Sequence, residues 1–291
     1  MSGDPFALDR RRVRASFDTA APGYDAVAVV QAEIRRRLLE RLELFRIDPL
    51  RILDAGCGTG HGARALLQHY RHAGLVALDI APGMLQAARR QRPWLRRLDA
   101  VCGDAAAIPL ADGSVDLVFS NLMLQWCDSP DRVFAEFHRV LRPGGLLLFS
   151  SFGPDTLKEL RAAWRAADGH THVNRFIDMH DLGDALVRAG LQTPVMDMEY
   201  LTLTYRDVRS LMRDLRTMGA SNATAGRRRG LTGRRRLAAV EAWYEGLRAE
   251  GRIPATWEVV YGPAWAGMPR GERDARPGEV AVPLSRIGRR R

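Results

Sequence analysis

Residues 51–60 read Arg51-Ile52-Leu53-Asp54-Ala55-Gly56-Cys57-Gly58-Thr59-Gly60. An apolar run ends on an acid, and glycines then fall at every second position. A stretch with helical character, residues 61–70, follows. The segment therefore reads as strand, glycine-rich turn, helix. Glycine at 56, 58 and 60 permits a tight turn and lets a ligand lie directly against the main chain. In an open α/β sheet, nucleotide-like ligands bind at such a junction of strand and helix.

A dinucleotide loop needs the spacing G-x-G-x-x-G, which seats a pyrophosphate on a helix N-terminus. Here the spacing is D-x-G-x-G-x-G, and an anion would be repelled by Asp54. A cationic ligand would not be. S-adenosylmethionine carries a sulfonium and an ammonium and no phosphate. Further along, residues 74–79 read as a buried strand ending on Asp79, which can accept from two ribose hydroxyls at once. Residues 99–105 then give Asp-Ala-Val-Cys-Gly-Asp-Ala. There Asp104 can accept from an adenine amino group, and the Ala105 amide can donate to a ring nitrogen. Residues 115–121 form a fourth strand ending in Ser120-Asn121, and Pro143-Gly144-Gly145 turns into a fifth. Any one of these acids could simply cap the next helix. Three of them, one βα unit apart behind a glycine loop, point to ligand contacts. Residues 50–152 thus resemble the class I S-adenosylmethionine-dependent methyltransferases. That resemblance implies an α/β, Rossmann-like fold with a seven-stranded, mostly parallel sheet flanked by helices.

The chain has 291 residues, 46% of them apolar, enough for one α/β domain with embellishments. No run approaches the roughly 20 apolar residues that span a membrane. The first residues lack a basic and apolar leader, so a cytoplasmic location is expected. Cys57, Cys102 and Cys127 have no metal-like spacing and read as small apolar fillers; no metal is expected. The net charge is +10, and only Lys158 among 44 basic residues is a lysine. Residues 1–204 hold 25 basic and 25 acidic side chains, and residues 205–291 hold 19 and 9. The excess therefore sits in the last third, in Arg227-Arg228-Arg229, Arg234-Arg235-Arg236 and Arg289-Arg290-Arg291. It reads either as solvated surface or as a docking face for an acidic partner. Aromatic residues are not interleaved with these arginines, which argues against nucleic acid.

Residues 9–22 read as a polar, mixed lead-in. Val30, Ile34, Leu38, Leu42 and Phe45 mark an amphipathic helix over 25–45. Alternating β and α segments up to Ser151 predict a parallel sheet. Beyond it, helices are expected at 156–167, 178–189, 205–218 and 237–246, and strands at 192–204 and 256–265. The expected division is a helical lead-in and lid (1–48), an α/β core (49–204), a helical insertion (205–252), a last core strand (253–265) and a mobile basic tail (266–291).

The acceptor is read from the residues after the fourth strand. Ser120-Asn121-Leu122-Met123-Leu124-Gln125-Trp126 carries neither an Asn-Pro-Pro-Tyr-like motif nor paired glutamates. An acceptor that is already anionic, such as a carboxylate, needs no base. The segments Phe17-Asp-Thr-Ala-Ala-Pro-Gly-Tyr24-Asp25, Ser120 to Cys127, Phe152-Gly-Pro-Asp-Thr-Leu, Asn174-Arg175-Phe176 and Met218-Gly-Ala-Ser-Asn222 together resemble the malonyl-acyl carrier protein O-methyltransferases of biotin synthesis. The resemblance runs over about residues 10–265. It implies esterification of the free carboxylate of a malonyl thioester, carried by an acidic protein that would dock on the basic C-terminal third of a monomeric enzyme. It further implies cofactor contacts from Asp54, Gly56, Cys57, Gly58, Gly60, Asp79, Ile80, Met84, Asp104, Ala105 and Asn121. Tyr24, Gln125, Trp126, Arg175 and Phe176 are the candidates around the acceptor. Tyr24 would sit in a lid and Trp126 would wall the site. Arg175 could hold the substrate carboxylate or form a structural ion pair. His170, His172 and His180 receive no role. Two alternatives stay open. One is a related branch that methylates a protein arginine during respiratory-complex assembly, and the other is a non-catalytic S-adenosylmethionine-binding protein.

Overall fold

The computed structural model describes residues 8–220, 222–224 and 233–267. Five strands run parallel: β1 (Arg51–Ala55), β2 (Gly74–Asp79), β3 (Leu98–Cys102), β4 (Val115–Asn121) and β5 (Leu141–Phe152). Their spatial order is β3-β2-β1-β4-β5. The order reverses between β1 and β4, so a crevice opens at the carboxyl ends of these two strands, where such sheets bind ligands.

Both sheet faces are covered, because successive side chains point to opposite sides. Ile52, Leu75, Leu117, Phe119, Leu146 and Leu148 belong to one core, shared with α2 (Val29–Leu42) and α3 (His61–His69). Leu53, Leu78, Val118, Leu147 and Phe149 belong to the other, shared with α5 (Pro130–Val140) and α7 (Met179–Arg188). In α2, Val30, Ile34, Leu38 and Leu42 are buried at the spacing the sequence shows.

After β5 come α6 (Lys158–Ala167), α7, the two-residue β6 (Leu191–Gln192) and β7 (Asp197–Tyr205). Then follow α8 (Val208–Thr217), α9 (Arg234–Glu245) and β8 (Ile253–Ala266). β8 threads between β5 and β7, antiparallel to both. Among the described residues the sheet is thus mostly parallel, with seven long strands and the short β6 at its edge. The expected helical insertion is present as α8 and α9, between the last two long strands, with α9 packed on α6. No helix among the described residues is long and apolar enough to cross a membrane.

Two expectations shift. The strand expected over 192–204 begins at Asp197, because Thr193 has φ +47° and Pro194 follows, which interrupts the ladder after β6. The lead-in at 9–22 folds as helix α1 (Arg10–Ala20), capped by Asp9, whose side chain accepts from the Arg12 N–H (3.2 Å). Val13 and Ala20 are its buried positions. Residues 227–229 and 289–291, with most of the expected tail, lie outside the described residues.

Candidate active site

The glycine loop folds back over the end of β2. The N–H groups of Gly56 and Cys57 both donate to the Leu78 carbonyl, at 2.8 and 3.0 Å. Gly56, Gly58 and Gly60 have φ of +75°, +53° and +90°, the left-handed region that favours glycine. Their reasons differ. A Cβ on Gly56 would lie 2.4 Å from Met123 Cγ, and one on Gly60 would lie 2.6 Å from Ala88 Cα. A Cβ on Gly58 meets nothing within 4 Å, and Gly58 lines the cleft. Gly60 therefore seats the loop on α4 (Pro82–Gln91), while Gly58 leaves its space to a ligand.

The three acids are also unequal. Asp79 lines the cleft at the end of β2, and its carboxylate accepts from the N–H groups of Gly58 and Ala81, each at 2.9 Å. Burial raises its pKa. Asp104 lines the cleft after β3, accepts from the Ala106 N–H (2.8 Å), and is paired with Arg10 at 2.7 Å. Asp54 does not line the cleft. It is 2% exposed, receives the Ala63 N–H and has Arg35 nearby. Its Oδ2 has no hydrogen-bond partner, and burial pushes its pKa up to about 7. The sequence expectation of Asp54 facing a cationic ligand thus gives way to a carboxyl turned toward the start of α3. Cys57 and Gly60 likewise stand behind the lining. Ile80, Met84, Ala105 and Asn121 line the cleft, as do Tyr24, Gln125 and Trp126.

Helix α1 closes the cleft from above. Val13 and Phe17 face inward, and the Phe17 ring meets Trp126 edge-on at 5.0 Å. Arg10 joins Asp104 to Asp128 (3.3 Å). Asp18 accepts the Gly83 N–H at the start of α4 (2.6 Å). At its own start α1 is tied to the segment after α8: Leu8 bridges to Thr224, and the Asp9 N–H donates to the Ala223 carbonyl (3.0 Å). Tyr24 follows α1 and packs with Met84, Ala81 and Phe17. Burial, with Asp79 near, raises its hydroxyl pKa, so it stays protonated. Asp25 ties this lid to the glycine loop by accepting from the Thr59 hydroxyl (2.6 Å).

The other end of the cleft is aromatic and amide-lined. Leu122 takes φ +55°, a strained conformation for a branched residue that costs about 1–3 kcal/mol. Its N–H is held by the Ser150 carbonyl at 3.1 Å. This turn lays Met123 against Gly56 and brings Gln125 into the lining. Asn121 is fixed by Gln31 O (3.4 Å) and by the Ser150 hydroxyl (2.9 Å). Gln125 donates its amide N–H to the Leu122 carbonyl (2.7 Å), which leaves its Oε1 buried without a partner. Gln31 Oε1 and Trp257 Nε1 are in the same state, and both residues line the cleft.

Arg175 and Phe176 are placed elsewhere. Both line a second hollow, with Arg161, Arg165 and Asp168 among its walls. Phe176 reaches the cleft only through Phe152, ring to ring at 5.8 Å. His172 stacks on Trp164 and bonds Asp168, and His180 bonds Asp178, its helix cap; neither lines the cleft. The residues that sequence reading passed over are Arg10, Val13, Gln31 and Trp257. The spacing of Val13, Phe17 and Ala20 behind Asp9 was the available signal for α1. Nothing local marked Gln31 or Trp257.

These residues fit S-adenosylmethionine. Gly58 leaves room above the loop, Asp79 offers remaining lone pairs for hydroxyl donors, and the unpartnered Gln31 and Gln125 oxygens suit the cationic end of such a molecule. Among the described residues no group of His, Cys, Asp and Glu is arranged to hold a metal ion.

Comparison with known proteins agrees. Residues 53–149 match a methyltransferase domain model. The chain is 57% identical over 281 residues to the malonyl-acyl carrier protein O-methyltransferase of Laribacter hongkongensis, covering 93% of this chain and 95% of that protein. It is 53% identical over 276 residues to the protein of the same name in Methylovorus, covering 93% of each. Among solved structures, the cyclase SpnF superposes with a TM-score of 0.59 at 22% identity, over 92% of this chain and all of that one. That last likeness bears on the fold alone. The chain belongs to the malonyl-acyl carrier protein O-methyltransferase family.

Proposed function

We propose that this protein transfers a methyl group from S-adenosylmethionine to the free carboxylate of a malonyl thioester on acyl carrier protein, an early step toward the pimeloyl part of biotin. The observation that carries the reading is identity above 50% over more than nine-tenths of the chain to relatives of that name, joined to a cleft that suits the cofactor. Asp79, its carboxylate fixed by the Gly58 and Ala81 N–H groups, would hold the ribose end, and Asp104, steadied by Arg10, the adenine end. Bound S-adenosylmethionine supplies the methyl on a sulfonium: the oxygen–carbon bond forms as the sulfur–carbon bond breaks, the electron pair stays on sulfur, and no proton moves. The residues around the acceptor therefore need only align the carboxylate and exclude water. Tyr24, Trp126 and Phe152 are suited to both tasks; of the described acids in the lining, Asp104 and Asp128 are tied to Arg10 and Asp79 accepts two backbone N–H groups. Arg175 lines the second hollow and is not among the residues that would align the carboxylate in the cleft.

The carrier, being acidic, would dock on the outer face of the lid. Arg11, Arg12 and Arg14 on α1 and Arg213 and Arg216 on α8 are exposed. A hollow between the two helices is lined by Arg12, Ser16, Thr19, Arg216 and Thr217. The wall is one layer thick: Met218 and Ala220 face the cleft while Thr217 and Gly219 face this hollow. Of the cluster expected at 234–236, Arg236 is paired with Asp168 (3.5 Å). The test is transfer of isotope-labelled methyl to malonyl-carrier beside a panel of arginine-bearing proteins. Label on the malonyl-carrier alone supports the reading, and label on protein arginine alone overturns it.

A further inference from the structure

The sheet order divides the cleft. Asp79 and Asp104 come from the ends of β2 and β3, on one side of the β1/β4 reversal. Phe152 and Trp257 come from β5 and β8, on the other. Among the described residues, the charged ones that line the cleft are Arg10, Asp79, Asp104 and Asp128, and Arg10 is committed to two of those acids. The β5/β8 half therefore offers a carboxylate no cation among the described lining residues.

What that half does hold is an indole donor without an acceptor. Trp257 is 2% exposed, its ring lies 5.1 Å from that of Phe152, and its Nε1 is buried with no hydrogen-bond partner. Indole nitrogen is a donor only. Leaving a buried donor unpaired costs on the order of 1–3 kcal/mol, and native interiors rarely carry that cost without a reason. An aromatic at this position could have been phenylalanine, as at 152, with no such cost.

Resting on the function proposed above, we infer that the Trp257 N–H is the positioning donor for the malonyl carboxylate, bonding the oxygen that does not attack the methyl. The chemistry favours a single neutral donor. An arginine fork would hold both oxygens and withdraw charge from the nucleophile. One indole N–H orients the group and leaves the second oxygen free. The compensating positive charge is the sulfonium itself, and charge is neutralised as the methyl moves, so an uncharged wall opposes the reaction less than a cationic one. This assignment also gives a basis for rejecting an acetyl thioester. Such an acyl group has no carboxylate to accept the bond.

The experiment replaces Trp257 by 3-benzothienylalanine, which exchanges N–H for sulfur in a ring of the same shape, and separately makes Trp257→Phe. Cofactor binding by calorimetry serves as the folding control and is expected to stay within about twofold in the benzothienyl protein. Turnover of malonyl-carrier is expected to fall about 10- to 100-fold in both variants, as for loss of a hydrogen bond to a charged acceptor. Inhibition by acetyl-carrier, which keeps the thioester carbonyl, is expected to be unchanged. Turnover at the wild-type level in the benzothienyl protein overturns the assignment. So does an equal loss of acetyl-carrier inhibition, which would move the bond to the thioester carbonyl. A wild-type protein inactive on malonyl-carrier overturns the proposed function and this inference with it; an active wild type with an equally active analogue overturns only the inference.

Discussion

Asp54 shows how burial and attraction compete at one residue. Desolvation is the largest influence on its carboxyl and Asp79 adds to it, while Arg35 and the Ala63 N–H oppose. With a folded pKa of about 7 against 3.8, the fold favours the protonated form. The corresponding stability is fully present below about pH 4 and is lost as pH rises through 7, roughly 4 kcal/mol at most. Asp54→Asn should flatten this dependence, and urea titrations at pH 5 and pH 8 measure it. A variant less stable than wild type at pH 8 would show that the attraction of Arg35 outweighs burial. The glycines make a second test at this scale. Gly60→Ala forces a Cβ into the Ala88 backbone at φ +90° and should lower stability by at least about 1–2 kcal/mol. Gly58→Ala fills ligand space instead and should weaken cofactor binding at least about tenfold, with a smaller loss of stability. Equal effects of the two changes on both readouts would erase the distinction. The glycine positions themselves were plain in the sequence; their separate reasons were not, because Ala88 and Met123 are distant in the chain.

Among the elements, α1 matters most to the site. Its arginines at 10, 11, 12 and 14 hide Val13, Phe17 and Ala20, so the segment reads as polar although its inward stripe is apolar. The parallel core was legible because β1, β2 and β4 carry Asp54, Asp79 and Asn121 at their ends and glycine or proline punctuates the segments between strands. By contrast, the placing of Trp257 depended on β8 threading between β5 and β7, which no local spacing reveals. Phe17→Ala removes the edge-on contact with Trp126 and apolar cover from the cleft. The lost contact is worth about 0.5–1.5 kcal/mol, so cofactor release measured by stopped-flow should quicken roughly 2- to 13-fold. The melting temperature should move little, since α1 lies outside the two main cores. An unchanged release rate would remove α1 from the role of lid.

At the scale of the molecule, the site is a crevice between an acid-bearing half-sheet and an aromatic half-sheet, covered by α1 and the turn after α8. The formal charge pointed to the last third of the chain. Among the described residues, the exposed arginines of α8 stand beside those of α1, a pairing that a running charge count cannot register. Replacing Arg12 and Arg216 together by Glu should raise the KM for malonyl-carrier, with kcat nearly unchanged and the effect shrinking as salt rises. An unaltered KM at low salt would place docking elsewhere. The most direct measurement is mass spectrometry of carrier protein after incubation with the enzyme and S-adenosylmethionine, malonyl and acetyl forms in parallel. A base-labile gain of one methyl on the malonyl form alone is the predicted result. Equal modification of both forms, or of neither, would contradict it.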